Sequence, residues 1–226
     1  MRFWSEYGTF FREFRRHFRD TGSIVPSSVF LARALASELR APRRPCRILE
    51  VGPGTGSVTD QILKHLLPGD RLELVELNCH FVSLLERRFN QDARFRAHRH
   101  QTSLIHSAVE ELPGDGIYDV IISGLPLNNF SVAQVRDIFR VYNRLLRPGG
   151  TLSYYEYALV RQLKTPFVDR SERRRLFRIG RVVSRYIRSY QVRREQVLAN
   201  MPPAIVRHLR LKPLLLPLET EPSRHG

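Results

Sequence analysis

Arg47-Ile48-Leu49-Glu50-Val51-Gly52-Pro53-Gly54-Thr55-Gly56-Ser57 decides the fold of this chain. A short apolar run carries an acid near its end, three glycines follow at alternate positions, and Val58 to Leu66 continues with helical character. The order is strand, glycine turn, helix. In an open α/β sheet, ligands sit outside the carboxyl ends of the strands, where such a turn lies. Glycine there lets backbone approach a ligand and adopt positive φ. The spacing separates the candidates. A phosphate-cradling loop requires Gly-x-x-x-x-Gly-Lys-Ser/Thr, and no such lysine follows. A dinucleotide turn requires Gly-x-Gly-x-x-Gly, whereas here the third glycine falls one residue early and Ser57 takes its place.

A second signal lies downstream. Arg71-Leu72-Glu73-Leu74-Val75-Glu76-Leu77-Asn78 has the alternation and apolar content of a second strand. Its last acid, Glu76, stands twenty residues beyond Gly56, and an acid so placed accepts hydrogen bonds from both hydroxyls of a ribose. Together, Glu-x-Gly-x-Gly-x-Gly and the following acid resemble the class I S-adenosylmethionine-dependent methyltransferases. The resemblance implies a Rossmann-like α/β fold and S-adenosylmethionine as cofactor. It implies that Glu50, Gly52, Pro53, Gly54, Thr55 and Gly56 hold that cofactor, with Glu76 and Leu77 at its ribose. In such enzymes the end of the third strand flanks the adenine, often with an Asp. Here Ser107 stands near that place, and Ala108 follows with backbone to offer.

The whole chain has 226 residues, enough for one sizeable α/β domain with extensions. Lys and Arg number 37 against 22 Asp and Glu, a formal charge of +15 that attracts polyanions, whether nucleic acid or anionic membrane. Cys46 and Cys79 have no metal-ligand spacing, so no metal is expected and the context is a reduced, cytosolic one. No apolar run approaches the ~18 residues that a spanning helix needs, and the N-terminus lacks the apolar core of a signal peptide.

In residues 2–20, Phe3, Tyr7, Phe10, Phe11, Phe14 and Phe18 form a helical stripe, with Arg12, Arg15, Arg16 and Arg19 largely opposite. This composition suits a helix lying in a membrane interface as well as one packed on a core. Ser27 or Ser28 caps a helix over Val29 to Leu39. Phe81 to Phe89 is helical, and residues 90–103 have the composition of a loop or edge region. Ser103 to His106 is the third strand. Tyr118 to Ser123 is a buried fourth strand that runs into Ser123-Gly124-Leu125-Pro126-Leu127, where a Pro-stiffened turn offers backbone to a methyl acceptor. Val132 to Leu146 is a helix, and Arg147-Pro148-Gly149-Gly150 stops it. Thr151 to Ala158 is a strand whose Tyr155 and Tyr157 share one face, and Tyr154 and Glu156 the other. Residues 170–194 carry ten arginines around an apolar stripe of Leu176, Ile179, Val183, Tyr186 and Tyr190, a basic amphipathic helix.

The combined pattern resembles bacterial phospholipid N-methyltransferases. The resemblance rests on the Phe/Arg-rich N-terminus, Gly22-Ser23-Ile24-Val25-Pro26-Ser27-Ser28, Glu50 to Gly56, Glu76-Leu77-Asn78, Ser123 to Leu127, Arg147 to Gly150, and Asn200-Met201-Pro202-Pro203-Ala204. It implies a seven-stranded mixed sheet flanked by helices. It implies an amphipathic membrane-associating helix over 1–22, a methyltransferase domain over 23–211 and an irregular tail over 212–226. The expected activity is N-methylation of a membrane lipid amine, with phosphatidylethanolamine as the main substrate and ornithine lipid as the alternative. The expected place is the inner face of the cell membrane, held peripherally by anionic lipid. An RNA adenine methyltransferase is the rival of different substrate class; the charge suits it equally, but the Asn-x-Pro-Tyr of such enzymes is absent after the fourth strand. For the lipid reaction, backbone at Ser123 and Gly124 aligns the amine, and Tyr155 or Tyr157 can hold an ammonium by cation–π attraction. The amine must lose a proton to attack, and Glu156, His106, a tyrosine hydroxyl and water are the candidate acceptors.

Overall fold

A computed structural model describes residues 28–127, 130–157, 170–200 and 202–211. The aromatic N-terminal stripe and the expected C-terminal tail lie outside the described residues. Helices are α1 (Val29–Leu35), α2 (Ser57–Leu63), α3 (Cys79–Gln91), α4 (Ala93–Ala97), α5 (Val132–Leu145) and α6 (Arg170–Tyr190). Strands are β1 (Arg47–Val51), β2 (Arg71–Glu76), β3 (Thr102–His106), β4 (Tyr118–Ser123), β5 (Leu146–Tyr157), β6 (Gln191–Val197) and β7 (Ala204–Leu209). They form one seven-stranded sheet in the order β3-β2-β1-β4-β5-β7-β6. The first five strands run parallel, and β7 pairs antiparallel with both β5 and β6. This is the expected mixed α/β sheet.

The strands read as they do because both faces are covered. Alternate residues of β1 point to opposite layers, Ile48 into the core with α1, α2 and α3, and Leu49 and Val51 into the core with α5 and α6. Ile48, Leu49, Ile121, Ile122 and Leu152 have no exposed surface. At roughly 25 cal/mol per Å² of apolar surface buried, such side chains supply most of the driving force for folding.

Local signals set the helix ends. Ser28 Oγ accepts from the Leu31 amide at 3.2 Å, capping α1. Ser131 and Gln134 form a reciprocal capping box at the start of α5, at 3.3 and 2.8 Å. Three expectations change. The helix expected to reach Leu39 ends at Leu35 and continues as a 3₁₀ turn over Ser37–Arg40. The supposed loop over 90–103 contains α4 and a 3₁₀ turn over Arg99–Gln101. Its polar surface hides Phe95, which is fully buried and meets Phe89 edge to face at 5.1 Å between centroids. The basic helix stops at Tyr190 and the chain turns directly into β6.

The antiparallel edge is pinned by a buried polar cluster. His208 on β7 has no exposed surface; its Nδ1 lies 2.8 Å from Ser153 Oγ and its Nε2 lies 3.2 Å from Glu195 Oε1. Ser37 donates to Glu195 at 2.7 Å, and Arg193 bridges Glu38 at 2.7 Å and Glu195 at 3.1 Å. Burial, with Arg193 second, holds the His208 pKa below the ordinary 6.5 against the pull of Glu38 and Glu195. The unfolded chain therefore takes up this proton first. Stability from this group is present above pH 6.5 and is lost as pH falls through the lower folded value. Denaturant midpoints of wild type and His208→Gln, measured from pH 8 down to 5, are expected to show wild type losing more on acidification. Parallel profiles would remove His208 as the cause.

Candidate active site

The glycine turn leaves β1 with Gly52, Gly54 and Gly56 at φ +69°, +57° and +82°. No L side chain sits comfortably in that region, which accounts for the spacing of the glycines. Gly52 N–H donates to Val75 O at 3.0 Å and Gly124 N–H donates to Val51 O at 2.8 Å, so the ends of β2, β1 and β4 are laced together. A Cβ on Gly124 would stand 2.6 Å from Gly52 O; only glycine permits this approach. A Cβ on Gly54 would meet nothing within 4 Å, so the turn is open above its middle glycine.

Two acids stand below. Glu76 ends β2 with 2% of its surface exposed; it accepts from the Gly54 amide at 3.1 Å and from the Asn78 amide at 2.9 Å. Burial raises its pKa, and those two amides pull the other way. Glu50 is fully inside, accepting from Thr59 Oγ1 at 2.8 Å. Burial pushes its pKa up to about 8, with Thr59 opposing.

Beside Glu76 a cleft runs between Gly52, Leu77, Ser107, Ala108, Glu110 and Leu125. Ser107 Oγ donates to Glu111 Oε2 at 2.7 Å, so its hydroxyl is already engaged. Glu110 Oε1 is buried and accepts from no donor among the described residues. An unsatisfied buried carboxylate oxygen is costly unless a ligand donor reaches it. Glu110 was hidden in the sequence; the only hint is the Glu110-Glu111 pair following Ser107, of which one member ties Ser107 and the other is left over. An S-adenosylmethionine molecule needs an open glycine turn, an acid for its ribose hydroxyls and an acceptor for its amino-purine. Gly52, Glu76 and Glu110 line one cleft, and Gly54 is tied to it through its amide bond to Glu76; together they fit those needs.

At the end of β4, Ser123 is fully buried. Its Oγ lies 2.8 Å from Tyr142 Oη and accepts from the Leu125 amide at 3.3 Å. The hydroxyl thus serves packing, and what Ser123 and Gly124 present at the strand end is backbone. Tyr154 pairs with Ser123 in the sheet, so Tyr155, Glu156 and Tyr157 project beyond the end of β4. Tyr155 and Tyr157 rings meet edge to face at 5.3 Å, and burial with the neighbouring phenol raises the Tyr155 pKa. On the other face Glu156 accepts from Tyr154 Oη at 3.2 Å and pairs with Arg207 at 3.5 Å. His106 ends β3 at the sheet edge, with Nε2 3.1 Å from Leu77 O. Three strand spacings, roughly 14 Å, separate it from β4, so it is not placed to take a proton there.

A family model described as a methyltransferase domain matches residues 49–152. The ornithine lipid N-methyltransferase of Singulisphaera acidiphila is 30% identical over 151 residues, 66% of this chain and 76% of that protein. The ubiquinone/menaquinone biosynthesis C-methyltransferase of Pectobacterium carotovorum is 26% identical, covering 71% of this chain and 62% of that protein. Among solved structures, the 1,6-didemethyltoxoflavin-N1-methyltransferase of Burkholderia thailandensis, with S-adenosylhomocysteine bound, superposes with a TM-score of 0.59 at 18% identity, covering 92% of this chain and 90% of that one. The O-methyltransferase TomG of Streptomyces achromogenes, in complex with S-adenosylmethionine, gives 0.58 at 17% identity over 85% of each. The chain belongs to the class I S-adenosylmethionine-dependent methyltransferases, and S-adenosylmethionine is its cofactor.

Glu76→Ala removes the acceptor at the end of β2. Calorimetry with S-adenosylhomocysteine is expected to show affinity reduced roughly tenfold or more, the scale of a charged hydrogen bond; an unchanged titration would remove Glu76 from the site. Glu50 makes a pH prediction. Its carboxyl titrates near 8 when folded against 4.5 when exposed, so stability from this group falls as pH climbs between those values and is level above them. The stability difference between wild type and Glu50→Gln across that range reads this directly, and a flat difference would contradict the neutral acid.

Proposed function

We propose that this enzyme N-methylates the amine of a membrane aminolipid headgroup, ornithine lipid first and phosphatidylethanolamine second. The observation that carries the lipid class is the placement of the exposed hydrophobics. Val29, Phe30, Phe177, Val192 and Leu198 are the large apolar residues most open to solvent among the described residues. Three of them, Val29, Phe30 and Leu198, flank one hydrogen bond, Ser28 N–H to Asn200 Oδ1 at 3.2 Å. That bond ties the start of α1 to the turn between β6 and β7. The turn lies beyond Val197 and Ala204, which align with Tyr157 at the far end of β5. An apolar rim therefore stands on the same carboxyl edge of the sheet as Gly52 and Gly124, two to three strands along from β4. A hydrophobic rim beside a site for a polar amine suits an acceptor whose other end is acyl chain.

The likeness to the Singulisphaera enzyme is what supports putting ornithine lipid ahead of phosphatidylethanolamine. Phosphatidylethanolamine rests on the motif resemblance alone. A second surface supports association with an anionic membrane. Arg174, Arg178, Arg181, Arg185 and Arg188 are exposed at three- and four-residue steps along α6, with Phe177 among them 67% exposed. Each basic residue near an anionic surface contributes about 1 kcal/mol. Among the described residues no helix is long and apolar enough to cross a membrane. The reading is of a protein held peripherally, at the inner face of the cell membrane.

When bound, S-adenosylmethionine supplies an electrophilic methyl group on a positively charged sulfur. The chain's own work is positional. Backbone at Ser123 and Gly124, stiffened by Pro126, aligns the amine nitrogen at the end of β4. Tyr155 and Tyr157 line the projecting end of β5. Glu156, paired there with Arg207, takes the proton that the amine releases.

Purified protein with labelled S-adenosylmethionine should be offered three pools: anionic vesicles containing ornithine lipid, anionic vesicles containing phosphatidylethanolamine, and total RNA. Label in the ornithine lipid spot is expected. Label in phosphatidylethanolamine alone would change the headgroup, and label in RNA alone would overturn the lipid reading. Replacing Val29, Phe30 and Leu198 together by serine is expected to reduce co-sedimentation with anionic vesicles while S-adenosylhomocysteine binding stays as in wild type.

A further inference from the structure

We infer that Arg88, on α3, is a positioning residue that clamps the glycine turn into its cofactor-binding shape. The inference rests on the cofactor assignment above. Arg88 lies 32 residues beyond Gly56 and outside every motif in the sequence. Its Nη1 donates to Thr55 O at 2.9 Å and to Gly56 O at 3.1 Å. The peptide joining Thr55 to Gly56 is thus held from both sides, its carbonyl by Arg88 and its N–H by Pro53 O at 2.9 Å. The next carbonyl, Gly56 O, also takes the Asp60 amide at 2.9 Å, so the same guanidinium reaches the first bonded carbonyl of α2.

The guanidinium is itself held. Its centre lies 3.9 Å from the centroid of the buried Phe95 ring, and Nη2 meets Asp92 Oδ2 at 3.2 Å. It occupies the space a side chain at position 56 would need. A Cβ on Gly56 would come within 2.8 Å of Arg88 Nη1 and 3.0 Å of Leu85 Cδ2. The third glycine of the turn is therefore required twice, by its φ of +82° and by the arginine packed against it. Peptides of a glycine turn flip readily, because no Cβ opposes the change. A charged donor on two successive carbonyls removes that freedom before the cofactor arrives, which lowers the ordering cost of binding. The planar fork with several donors is what makes Arg, rather than Lys, suited to two carbonyls at once.

A clamp on the bound shape acts on cofactor affinity, equally in ground and transition states, and leaves turnover at saturation alone. The test uses wild type, Arg88→Met, Arg88→Lys and Asp92→Asn. Calorimetry reads S-adenosylhomocysteine affinity, thermal melting reads the fold, and initial rates on the lipid acceptor separate KM for S-adenosylmethionine from kcat. Arg88→Met is expected to bind S-adenosylhomocysteine roughly tenfold more weakly and to raise KM similarly with kcat retained. Arg88→Lys should recover part of the loss, since one carbonyl can still be reached. Asp92→Asn, which frees the other end of the guanidinium but leaves the carbonyls bonded, should bind close to wild type. If Arg88→Met does not fold, Arg88→Lys carries the test. Undiminished affinity in Arg88→Met, or in Arg88→Lys where that variant carries the test, with only a lower melting temperature, would make Arg88 a simple tie between α3 and α2. A fall in kcat with KM unchanged would equally overturn the clamp. Failure of wild type to bind S-adenosylhomocysteine would strike the cofactor assignment instead.

Discussion

The approach of Gly124 to Gly52 is the constraint on which the rest depends. Two strand ends meet backbone to backbone, with an amide from one on a carbonyl of the other at 2.8 Å and no room for a side chain between them. This contact brings the turn after β1 and the turn after β4 to one spot at the carboxyl edge of the sheet. The proposed cofactor contacts lie on the first turn and the proposed acceptor contacts on the second. A transfer reaction needs its two partners within bonding distance, and glycine at both positions lets the fold provide that.

Around this contact the enzyme keeps its acids dry for different reasons. Glu76 is buried but bonded to two amides, which oppose the upward pull of burial, and it lines the cleft. Glu50 has one hydroxyl partner, and burial prevails, so it is a neutral acid below about pH 8. Two carboxylates this near would repel if both were charged, and the difference in their partners separates them. Arg88 and Glu110 extend the same logic outward. One satisfies carbonyls so that the turn has a single shape, and the other lines the cleft with a buried oxygen that has no donor among the described residues.

The two sheet layers divide the remaining work. The α1 side, continuous with Tyr155, carries the apolar rim at the carboxyl edge, while α6 on the opposite layer turns an arginine row outward. Its inner residues, Ile179 and Val183, are locked in the core with Phe139 and Tyr154, and Tyr186 stacks on Phe139 at 4.4 Å. One helix thus serves both folding and surface charge, because long arginine stems cover apolar area while their heads stay wet.

The class of fold and the cofactor were legible in the chain itself. Alternation in Arg71–Glu76, the three glycines and Glu76 twenty residues on are local or fixed-interval signals, and backbone geometry leaves few ways to satisfy them. Phe95 shows where such reading fails: it sits among arginines and histidines that look like a loop, yet its ring is wholly inside because α4 folds back onto α3. Arg88, Glu110 and the Ser123–Tyr142 pair are invisible for the same reason, since their roles depend on groups far along the chain. Which carbonyls an arginine reaches, which of two adjacent glutamates lacks a donor, and whether a serine hydroxyl faces substrate or core are set by packing. The sequence by itself determined the strand–turn–helix grammar, because that grammar is written in φ, ψ and periodicity. Only the tertiary structure decided which side chains complete the site, because hydrogen bonds and exclusion of water act between residues that are neighbours in space alone.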